Sequence, residues 1–269
     1  MSQNRSEVLR LLDRYGVTPR KRLGQHFLAD RNMISKIVSL AGDPGDANAL
    51  EIGAGTGTLT KALCDAGFAV TAYEVDAGLA PLLSEVLAGT SVDLRMADAM
   101  TIDPEEFSDG RWVLVANLPY NVGTPIVLDL LRHAAGVVRC VVMVQREVAD
   151  RLVATPGTKD YGLPSVVVGL FAHARREFVV PPQVFVPAPN VESAVVRIER
   201  TMPPDPIRER AVEIATAGFA QRRKMLRSSL RSVVPKADST LADIGIEPTA
   251  RAEQLVPSQY LEIAKAVSA

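Results

Sequence analysis

The sequence predicts an α/β fold in which helices surround a mostly parallel, seven-stranded sheet, followed by a small all-α domain. From about residue 49 onward, short apolar runs bounded by turn residues alternate with segments of helical period. This alternation is typical of a parallel sheet whose strands are joined by helices. The chain has 269 residues, of which 47% are hydrophobic and 23% charged, enough for one large core and a smaller one.

Seven apolar runs have the length and composition of strands. We expect the first five to be parallel and the last two to form an antiparallel finish. Ligands of such open sheets bind outside the carboxyl ends of the strands, so the residues that follow each run are candidates for a site. The predicted strands are Ala49–Ile52, Ala69–Glu74, Val92–Met96, Trp112–Ala116, Val137–Val144, Phe178–Val180 and Ala194–Glu199.

A proline-rich segment ends the predicted sheet domain. Met202-Pro-Pro-Asp-Pro206 holds three prolines within four residues, a pattern that continues neither a helix nor an inner strand. We therefore predict a sheet domain over residues 1–202 and a helical domain over residues 203–269. Apolar spacing in the second domain predicts helices at Ile207–Ala220, Lys224–Val233 and Gln259–Val267.

Composition limits the classes of function. Lys and Arg total 30 against 31 Asp and Glu, so the chain is not a general polyanion binder, and any nucleic-acid contact must be local. Cys64 and Cys140 lie in apolar patterns without metal-ligand or disulfide spacing, which predicts core thiols and no metal site. The first residues form no apolar signal region, and no stretch approaches about 18 apolar residues. We expect a cytoplasmic, soluble protein, and near-neutral charge favours a monomer.

The first predicted strand leads into a glycine-rich loop that favours S-adenosylmethionine as cofactor. Glycine lets the backbone turn sharply and approach a ligand closely. The spacing of Gly53, Gly55 and Gly57 is GxGxG rather than the dinucleotide pattern GxGxxG, and Glu51 precedes it. An acid at this position fits the cationic part of S-adenosylmethionine, which has no pyrophosphate to bind.

Acidic residues also follow the next two strands. Glu74 comes about 20 residues after the glycine loop, where a carboxylate can accept hydrogen bonds from both ribose hydroxyls. Asp98 follows the third strand and could accept from an adenine amino group. The alternative for each acid is a cap on the following helix.

The segment Asn117-Leu118-Pro119-Tyr120 follows the fourth strand. The Asn117 side chain and a backbone carbonyl beside Pro119 form an acceptor pair for the exocyclic amine of adenine. Tyr120 would stack on the base, which contributes about 1–3 kcal/mol without selecting the atom. The alternative is an ordinary turn at a strand end.

Taken together, these segments resemble the rRNA adenine N6,N6-dimethyltransferases, a group of class I (Rossmann-like) methyltransferases, and most closely the kasugamycin-sensitivity family. The last two of the segments given next carry the likeness to the kasugamycin-sensitivity family. The segments are Lys21-Arg-Leu-Gly-Gln-His-Phe-Leu28, Leu50-Glu-Ile-Gly-Ala-Gly-Thr-Gly57, Tyr73-Glu-Val-Asp76, Asp98-Ala-Met100, Asn117-Leu-Pro-Tyr120, Val184-Phe-Val-Pro-Ala-Pro-Asn-Val-Glu-Ser193, Phe219-Ala-Gln-Arg-Arg-Lys-Met-Leu226 and Pro248-Thr-Ala-Arg-Ala-Glu-Gln-Leu255.

The resemblance implies dimethylation of two adjacent adenosines in a hairpin loop near the 3′ end of 16S rRNA, with the small ribosomal subunit as partner. It implies that residues 1–30 close the site and that Phe185 faces the target base opposite Tyr120. The family often has Asn at position 26, which leaves the role of the His26 side chain open. The implied cofactor-binding residues are Gln25, His26, Leu28, Gly53, Gly55, Glu74, Val75, Asp98, Ala99 and Asn117.

Local basic clusters are the candidates for RNA binding, because phosphate neutralisation needs cations. One such cluster is the pair Arg175-Arg176. For this pair in particular, the alternative is an ordinary solvated surface. In the helical domain, five cations lie in one segment of about ten residues, from Arg222 to Arg231. The predicted RNA-binding residues are Arg20, Lys21, Arg22, Lys159, Arg222, Arg223 and Lys224.

Three other functions stay open at this point. An erythromycin-resistance methyltransferase of large-subunit rRNA shares the catalytic segments, although the Arg-Arg-Lys tail argues against it. A DNA adenine methyltransferase would need an extended recognition domain, and usually has a second proline before the aromatic residue. A non-catalytic assembly or transcription factor could keep the fold, although intact glycine, acidic and Asn117–Tyr120 segments argue for catalysis.

Overall fold

The computed structural model describes residues 3–119, 123–221 and 223–268. Tyr120 and Arg222 lie outside the described residues. The strands are β1 (Phe27–Leu28), β2 (Ala47–Ile52), β3 (Val70–Tyr73), β4 (Asp93–Arg95), β5 (Arg111–Asn117), β6 (Val137–Gln145), β7 (Ala172–Val180), β8 (Phe185–Val186) and β9 (Ser193–Arg200).

Over the ranges that the structure describes, seven helices lie before β7, most of them between strands, and four follow the sheet at the C-terminus. They are α1 (Arg5–Arg14), α2 (Arg31–Ala41), α3 (Thr58–Asp65), α4 (Ala80–Val86), α5 (Gly123–His133), α6 (Arg146–Leu152), α7 (Leu163–Phe171), α8 (Pro206–Ala220), α9 (Leu226–Ser229), α10 (Ala237–Asp243) and α11 (Pro257–Ser268).

Seven strands form one sheet in the order β4-β3-β2-β5-β6-β9-β7. Strands β2 to β6 pair in parallel, and β9 pairs antiparallel with both β6 and β7. The mostly parallel sheet with an antiparallel finish predicted from the apolar runs is therefore confirmed. Strand β7 begins at Ala172, six residues before the predicted Phe178. The prediction began too late because the first part of the strand is half exposed and lacks a continuous apolar run.

A second, two-stranded sheet joins the N-terminal segment to a segment late in the chain. Strand β1 pairs antiparallel with β8, with Phe27 opposite Val186 and Leu28 opposite Phe185. Strands of two residues are too short to give a period-2 pattern, so the sequence did not predict this sheet. The pairing brings residues 26–28 and residues 185–187 together at one end of the molecule.

The C-terminal helices agree in part with their prediction. Helices α8 and α11 are confirmed. The helix predicted over Lys224–Val233 is wrong in extent, because only Leu226–Ser229 is helical. Instead, the N–H groups of Leu226 and Arg227 donate to the carbonyls of Ala250 (2.7 Å) and Pro248 (3.1 Å).

Two apolar clusters make up the core. One includes α1, α2, β1 and β8 and extends to the sheet. The other continues from the sheet through α7 into α8 and α11, across the predicted boundary at residue 203. Gly169 of α7 allows α11 to approach closely, because a Cβ at this position would lie 2.5 Å from Pro257. The division at residue 203 stays a prediction. Among the described residues, no helix is both long and apolar enough to span a membrane.

Candidate cofactor pocket and target site

A pocket opens at the carboxyl ends of β2, β3 and β5, and the N-terminal segment covers one side of it. Its empty volume, open mouth included, is about 920 Å³. This is the edge of the sheet at which open α/β folds bind ligands. All ten residues predicted to bind the cofactor line it, namely Gln25, His26, Leu28, Gly53, Gly55, Glu74, Val75, Asp98, Ala99 and Asn117.

The glycine loop between β2 and α3 has the conformation that requires glycine. Gly53, Gly55 and Gly57 have φ of +82°, +57° and +73°, a backbone conformation that residues with a Cβ rarely adopt. At Gly55 there is also little space, since a Cβ would lie 3.1 Å from the Phe27 ring. The loop can therefore bring its backbone close to a ligand while β1 packs against it.

Glu74 is a buried carboxylate at the end of β3, with 5% of its surface exposed. Its Oε2 accepts from the Gly55 N–H at 2.8 Å and its Oε1 from the Asp76 N–H at 2.9 Å. Burial raises the pKa of Glu74, although these N–H groups oppose the shift. A carboxylate oxygen accepts more than one hydrogen bond, so Glu74 can also accept from ligand hydroxyls.

Glu51 at the end of β2 is a second buried acid in the pocket wall, only 1% exposed. Within the described part of the chain, its Oε2 has no hydrogen-bond partner. Burial raises the pKa of Glu51 to about 8, and the nearby Glu74 carboxylate adds to this rise. The Thr60 hydroxyl opposes the rise in pKa, although it forms no hydrogen bond of normal geometry with Glu51. A cationic ligand group beside Glu51 would stabilise the charged form of this carboxyl and lower its pKa. The sequence signal for this residue was the acid before the first glycine.

Asp98 caps a short helix and also lines the pocket, and its contact with a ligand stays a prediction. Its Oδ1 accepts from the Met100 N–H at 2.9 Å and so caps a short 3-10 helix over residues 99–101. The same residue lines the pocket together with Ala97 and Ala99. Capping and ligand contact are compatible, because a carboxylate has two oxygens.

Asn117, the last residue of β5, is oriented by the N-terminal segment. Its Nδ2 donates to the backbone carbonyl of His26 at 2.9 Å. Leu118 points into the core and is 1% exposed. The Pro119 carbonyl accepts from the Gly123 N–H at 3.0 Å, which starts α5. Tyr120, predicted to stack on the base, lies outside the described residues.

Phe185, predicted as the second aromatic face, is fully buried. It lies in β8 within the core cluster and is 0% exposed, and it is not among the residues that line the pocket. The pairing of β8 with β1 turns this ring inward. Contact with a base would require neighbouring side chains to move, and the stacking role stays a prediction.

The N-terminal segment is tied to the pocket by a buried acid. Asp76 accepts from Gln25 Nε2 at 2.8 Å and pairs with Arg20 at 2.9 Å. Gln25 also accepts from the Arg20 N–H at 2.7 Å. The Arg20 guanidinium is therefore engaged within the protein while about half of its side chain stays exposed (47%). Its contact with RNA stays a prediction.

Phe27 also lines the pocket and Gln3 supports its wall, and neither was predicted from the sequence. Gln3 Nε2 donates to the Thr56 carbonyl at 3.2 Å, and its Oε1 accepts from the Thr58 hydroxyl at 2.8 Å. Thr56 and Thr58 line the pocket. Phe27 lay inside a quoted segment and could have been chosen as its aromatic residue. Gln3 had no signal, because it lies in no motif.

Comparison with known proteins identifies the family. The ribosomal RNA adenine dimethylase family matches residues 16–269. The chain belongs to the ribosomal RNA adenine dimethylase family. Among curated relatives, ribosomal RNA small subunit methyltransferase A of Nocardia farcinica is 43% identical, over 96% of this chain and 93% of the relative. The protein of the same name from Paenarthrobacter aurescens is 42% identical, over 97% and 92%.

Solved structures of similar fold include two methyltransferases. The 23S rRNA methyltransferase ErmE has a TM-score of 0.67 and 27% identity, covering 90% of this chain and 100% of its own. A dimethyladenosine transferase from Plasmodium falciparum has a TM-score of 0.75 at 21% identity, covering 88% and 96%, and supports the fold. The predicted class I methyltransferase fold is confirmed, and enzymes of this class in general use S-adenosylmethionine.

The described residues predicted to bind RNA are exposed, and they lie beside the pocket or near the C-terminal region. Lys21 and Arg22 are exposed beside the pocket, on a short 3-10 helix. Arg223 and Lys224 are exposed after α8. Lys159 is exposed in a turn attached to the C-terminal region, since the Gly157 N–H donates to the Glu253 carbonyl at 3.1 Å. Arg222 is outside the described residues, and RNA binding by the whole set stays a prediction.

Proposed function

We propose that this dimethylase transfers methyl groups from S-adenosylmethionine to N6 of two adjacent adenosines in the hairpin loop near the 3′ end of 16S rRNA. The observation that carries the proposal is the Asn117 amide, held at the edge of the pocket by its 2.9 Å bond to the His26 carbonyl. The names of the relatives support a small-subunit substrate. We expect a cytoplasmic monomer that acts during assembly of the small subunit.

The pocket residues fit the parts of S-adenosylmethionine. Glu74 suits the ribose hydroxyls, because both of its oxygens lie in the buried wall and each keeps acceptor capacity. Asp98 suits the adenine amino group, and Glu51 the cationic amino-acid end. Gly53 and Gly55 let the backbone approach. When bound, this cofactor supplies an electrophilic methyl group on a sulfonium.

The target amine would be held by two acceptors. Asn117 contributes Oδ1, since its Nδ2 is already bonded. The Pro119 carbonyl already accepts the N–H that begins α5, so the Leu118 carbonyl is the better backbone partner. Tyr120 would stack on the base. Phe185 would do so only if its ring left the core.

Catalysis needs no general base in this scheme. The segment from Asn117 to Pro119 has no ionisable side chain. Two acceptors orient the amine and draw out its lone pair, so orientation and electrostatics supply the rate. A methylated N6 cation is strongly acidic and can release its proton to water.

Binding of the RNA would depend on local cations rather than on net charge, which is −1. Lys21 and Arg22 lie beside the pocket, and Arg223 and Lys224 lie in the helical region. Their spread suits contacts with phosphates on two parts of a structured RNA, with strong salt dependence. Replacing Arg222, Arg223 and Lys224 together with Ala should weaken binding, and unchanged affinity would remove the helical region from the interface.

A large-subunit target is the second candidate, and the likeness to ErmE favours it. ErmE shares 27% sequence identity with this chain, whereas the small-subunit relative from Nocardia farcinica shares 43%. A non-catalytic assembly factor is the third candidate, and the complete set of pocket residues argues against it.

The test is an Asn117→Ala variant assayed on unmethylated small subunits, with Asn32→Ala on the exposed face of α2 as control. We expect about a hundredfold loss of turnover, with cofactor affinity measured by calorimetry changed only a few-fold. The control should match the unaltered protein. Near-normal turnover of Asn117→Ala with bound cofactor would contradict the proposed role of Asn117.

A further inference from the structure

His26 joins three segments that come from distant parts of the chain. Its backbone carbonyl accepts from Asn117 Nδ2 at 2.9 Å. Its imidazole Nδ1 lies 2.8 Å from the Pro187 carbonyl oxygen. Residue 26 directly precedes β1, and Pro187 directly follows β8. One residue thus connects the target-binding Asn117 with the end of the two-stranded sheet.

The bond to His26 determines which way the Asn117 amide faces. A carbonyl oxygen can only accept a hydrogen bond, so it must face the NH₂ group of the amide and not its oxygen. The reverse orientation would bring two carbonyl oxygens together. With NH₂ fixed on His26, Oδ1 is on the other branch of the amide. An amine with N–H donors, such as adenine N6, needs this acceptor.

The strand geometry explains why the His26 carbonyl is directed to Asn117. Backbone groups of successive residues in an antiparallel strand point alternately toward and away from the partner strand. The Ala29 N–H donates to the Val184 carbonyl at 2.8 Å, so residue 29 faces β8. Residues 27 and 29 then face β8, while residues 26 and 28 face away from it. The carbonyl of His26 is thereby directed to the other side of β1.

The imidazole supplies the restraint that the backbone ladder does not give at this position. Because the Pro187 carbonyl can only accept, Nδ1 is the nitrogen that carries the hydrogen. On the N-terminal side, Gly24 has φ of +63° and no side chain, and Gln25 is anchored on Asp76 rather than on β8. The bond from the His26 ring to Pro187 therefore fixes the end of β1 on which the carbonyl lies.

We propose that His26 is a positioning residue for methyl transfer, whose ring holds the N-terminal segment on Pro187 so that its carbonyl keeps Asn117 Oδ1 facing the target amine. The inference rests on the role proposed above for Asn117. It differs from a simple cofactor contact, which would affect cofactor affinity and not the rate at saturation.

The test compares His26→Ala with His26→Asn, which keeps a side-chain N–H donor, and with His173→Ala, an exposed histidine of β7, as control. The rate of a single turnover is measured on unmethylated small subunits at saturating S-adenosylmethionine, and cofactor affinity is measured by calorimetry. We expect His26→Ala to be about tenfold slower, with a cofactor Kd within about twofold of the unaltered protein. His26→Asn should recover most of the rate, and the control should be unaffected.

A second readout does not need activity. In protein labelled with ¹⁵N-asparagine, the Asn117 side-chain NH₂ protons should exchange slowly with solvent, and His26→Ala should accelerate this exchange. The resonance is assigned by its loss in Asn117→Asp.

Two results would overturn the inference. One is a His26→Ala variant with an unchanged single-turnover rate and unchanged amide exchange. The other is a loss of activity that saturating cofactor restores in full, which would make His26 a cofactor contact only. Absence of methyl transfer by the unaltered protein would count against the proposed function instead, and the exchange measurement would still decide the role of His26.

Discussion

Glu51 and Glu74 are buried together in the wall of the pocket, and Glu51 is the one whose charge should depend on pH near neutrality. Burial raises its pKa to about 8, against 4.5 for an ordinary Glu. The folded protein therefore keeps a proton that the unfolded chain releases between these pH values. The resulting contribution to stability is complete below about pH 4.5 and is lost as pH rises through 8.

Glu51→Gln should remove this pH dependence. Without cofactor, we expect the variant to gain stability relative to the unaltered protein by roughly 1 kcal/mol or more between pH 5 and pH 8. Urea unfolding at several pH values measures the difference, with Glu262→Gln on the exposed face of α11 as control. A stability difference that stays constant over this range would show that Glu51 is ionised throughout. The variant should also bind S-adenosylmethionine more weakly.

Phe185 offers a test of packing against base stacking. The ring is 0% exposed in the core, so Phe185→Leu should lower the free energy of unfolding by about 1 kcal/mol. If packing is the only role of the ring, turnover of the folded variant at saturating rRNA should stay within about threefold of the unaltered protein. The opposite pattern, unchanged stability with a large loss of turnover, would show that the ring reaches the target base.

At the scale of elements, Arg200 at the end of β9 clamps the C-terminal end of α5. Its guanidinium donates to the carbonyls of Val137 (2.7 Å), Ala134 (2.9 Å) and Leu131 (3.0 Å), and to those of Leu130 and Met202 (both 3.2 Å). Burial lowers the pKa of Arg200. The planar fork of Arg reaches several acceptors at once, which a Lys ammonium cannot do.

Arg200→Lys should therefore lower the free energy of unfolding by about 1–3 kcal/mol, because it leaves helix-end carbonyls unpaired. Guanidinium denaturation measures this loss. The matched control is Arg175→Lys on β7, whose side chain is 69% exposed. Equal stability of the two variants would contradict the clamp.

Arg5 attaches the start of helix α1 to the chain around β8. Arg5 donates to the carbonyls of Phe185 (2.9 Å) and Gln183 (3.2 Å). Arg5→Ala should increase hydrogen exchange of the α1 amides by about tenfold, while Arg10→Ala on the exposed face should not. If both variants exchange alike, the Arg5 contacts do not hold the helix.

The elements that the sequence predicted correctly are those with long, regular apolar patterns. All seven strands of the main sheet were found, and the central ones, β2, β5, β6 and β9, have apolar runs that fill the core. The pair β1–β8 was missed because two residues give no period. The helix over Lys224–Val233 was overestimated, because backbone bonds to Pro248 and Ala250 replace helical ones and leave no trace in local spacing.

The site was predictable to the extent that motifs carried it. Seven of the ten predicted cofactor residues line one pocket because strand ends meet at one edge of the sheet, whereas Gln25, His26 and Leu28 reach it from the N-terminal segment. The bond between Asn117 and His26 joins residues 91 positions apart and depends on the missed strand pair. The burial of Phe185 also depends on that pair, so motif spacing could not predict either feature.

For the whole molecule, the continuous apolar cluster predicts cooperative unfolding across residue 203. Calorimetry should give a single transition, because α7, α8 and α11 share buried residues with the sheet. Gly169→Val should lower the temperature of that transition as a whole, since its side chain would overlap Pro257. Two separate transitions would instead support independent domains.

The central claim is that this site dimethylates adenosine in the small subunit, and one measurement tests it most directly. Unmethylated small subunits, large subunits and duplex DNA are incubated in parallel with labelled S-adenosylmethionine, and the nucleosides are then analysed. We predict N6,N6-dimethyladenosine from small subunits alone, at two adjacent positions. Label in large subunits or in DNA would contradict the account, and so would the absence of label from all three substrates.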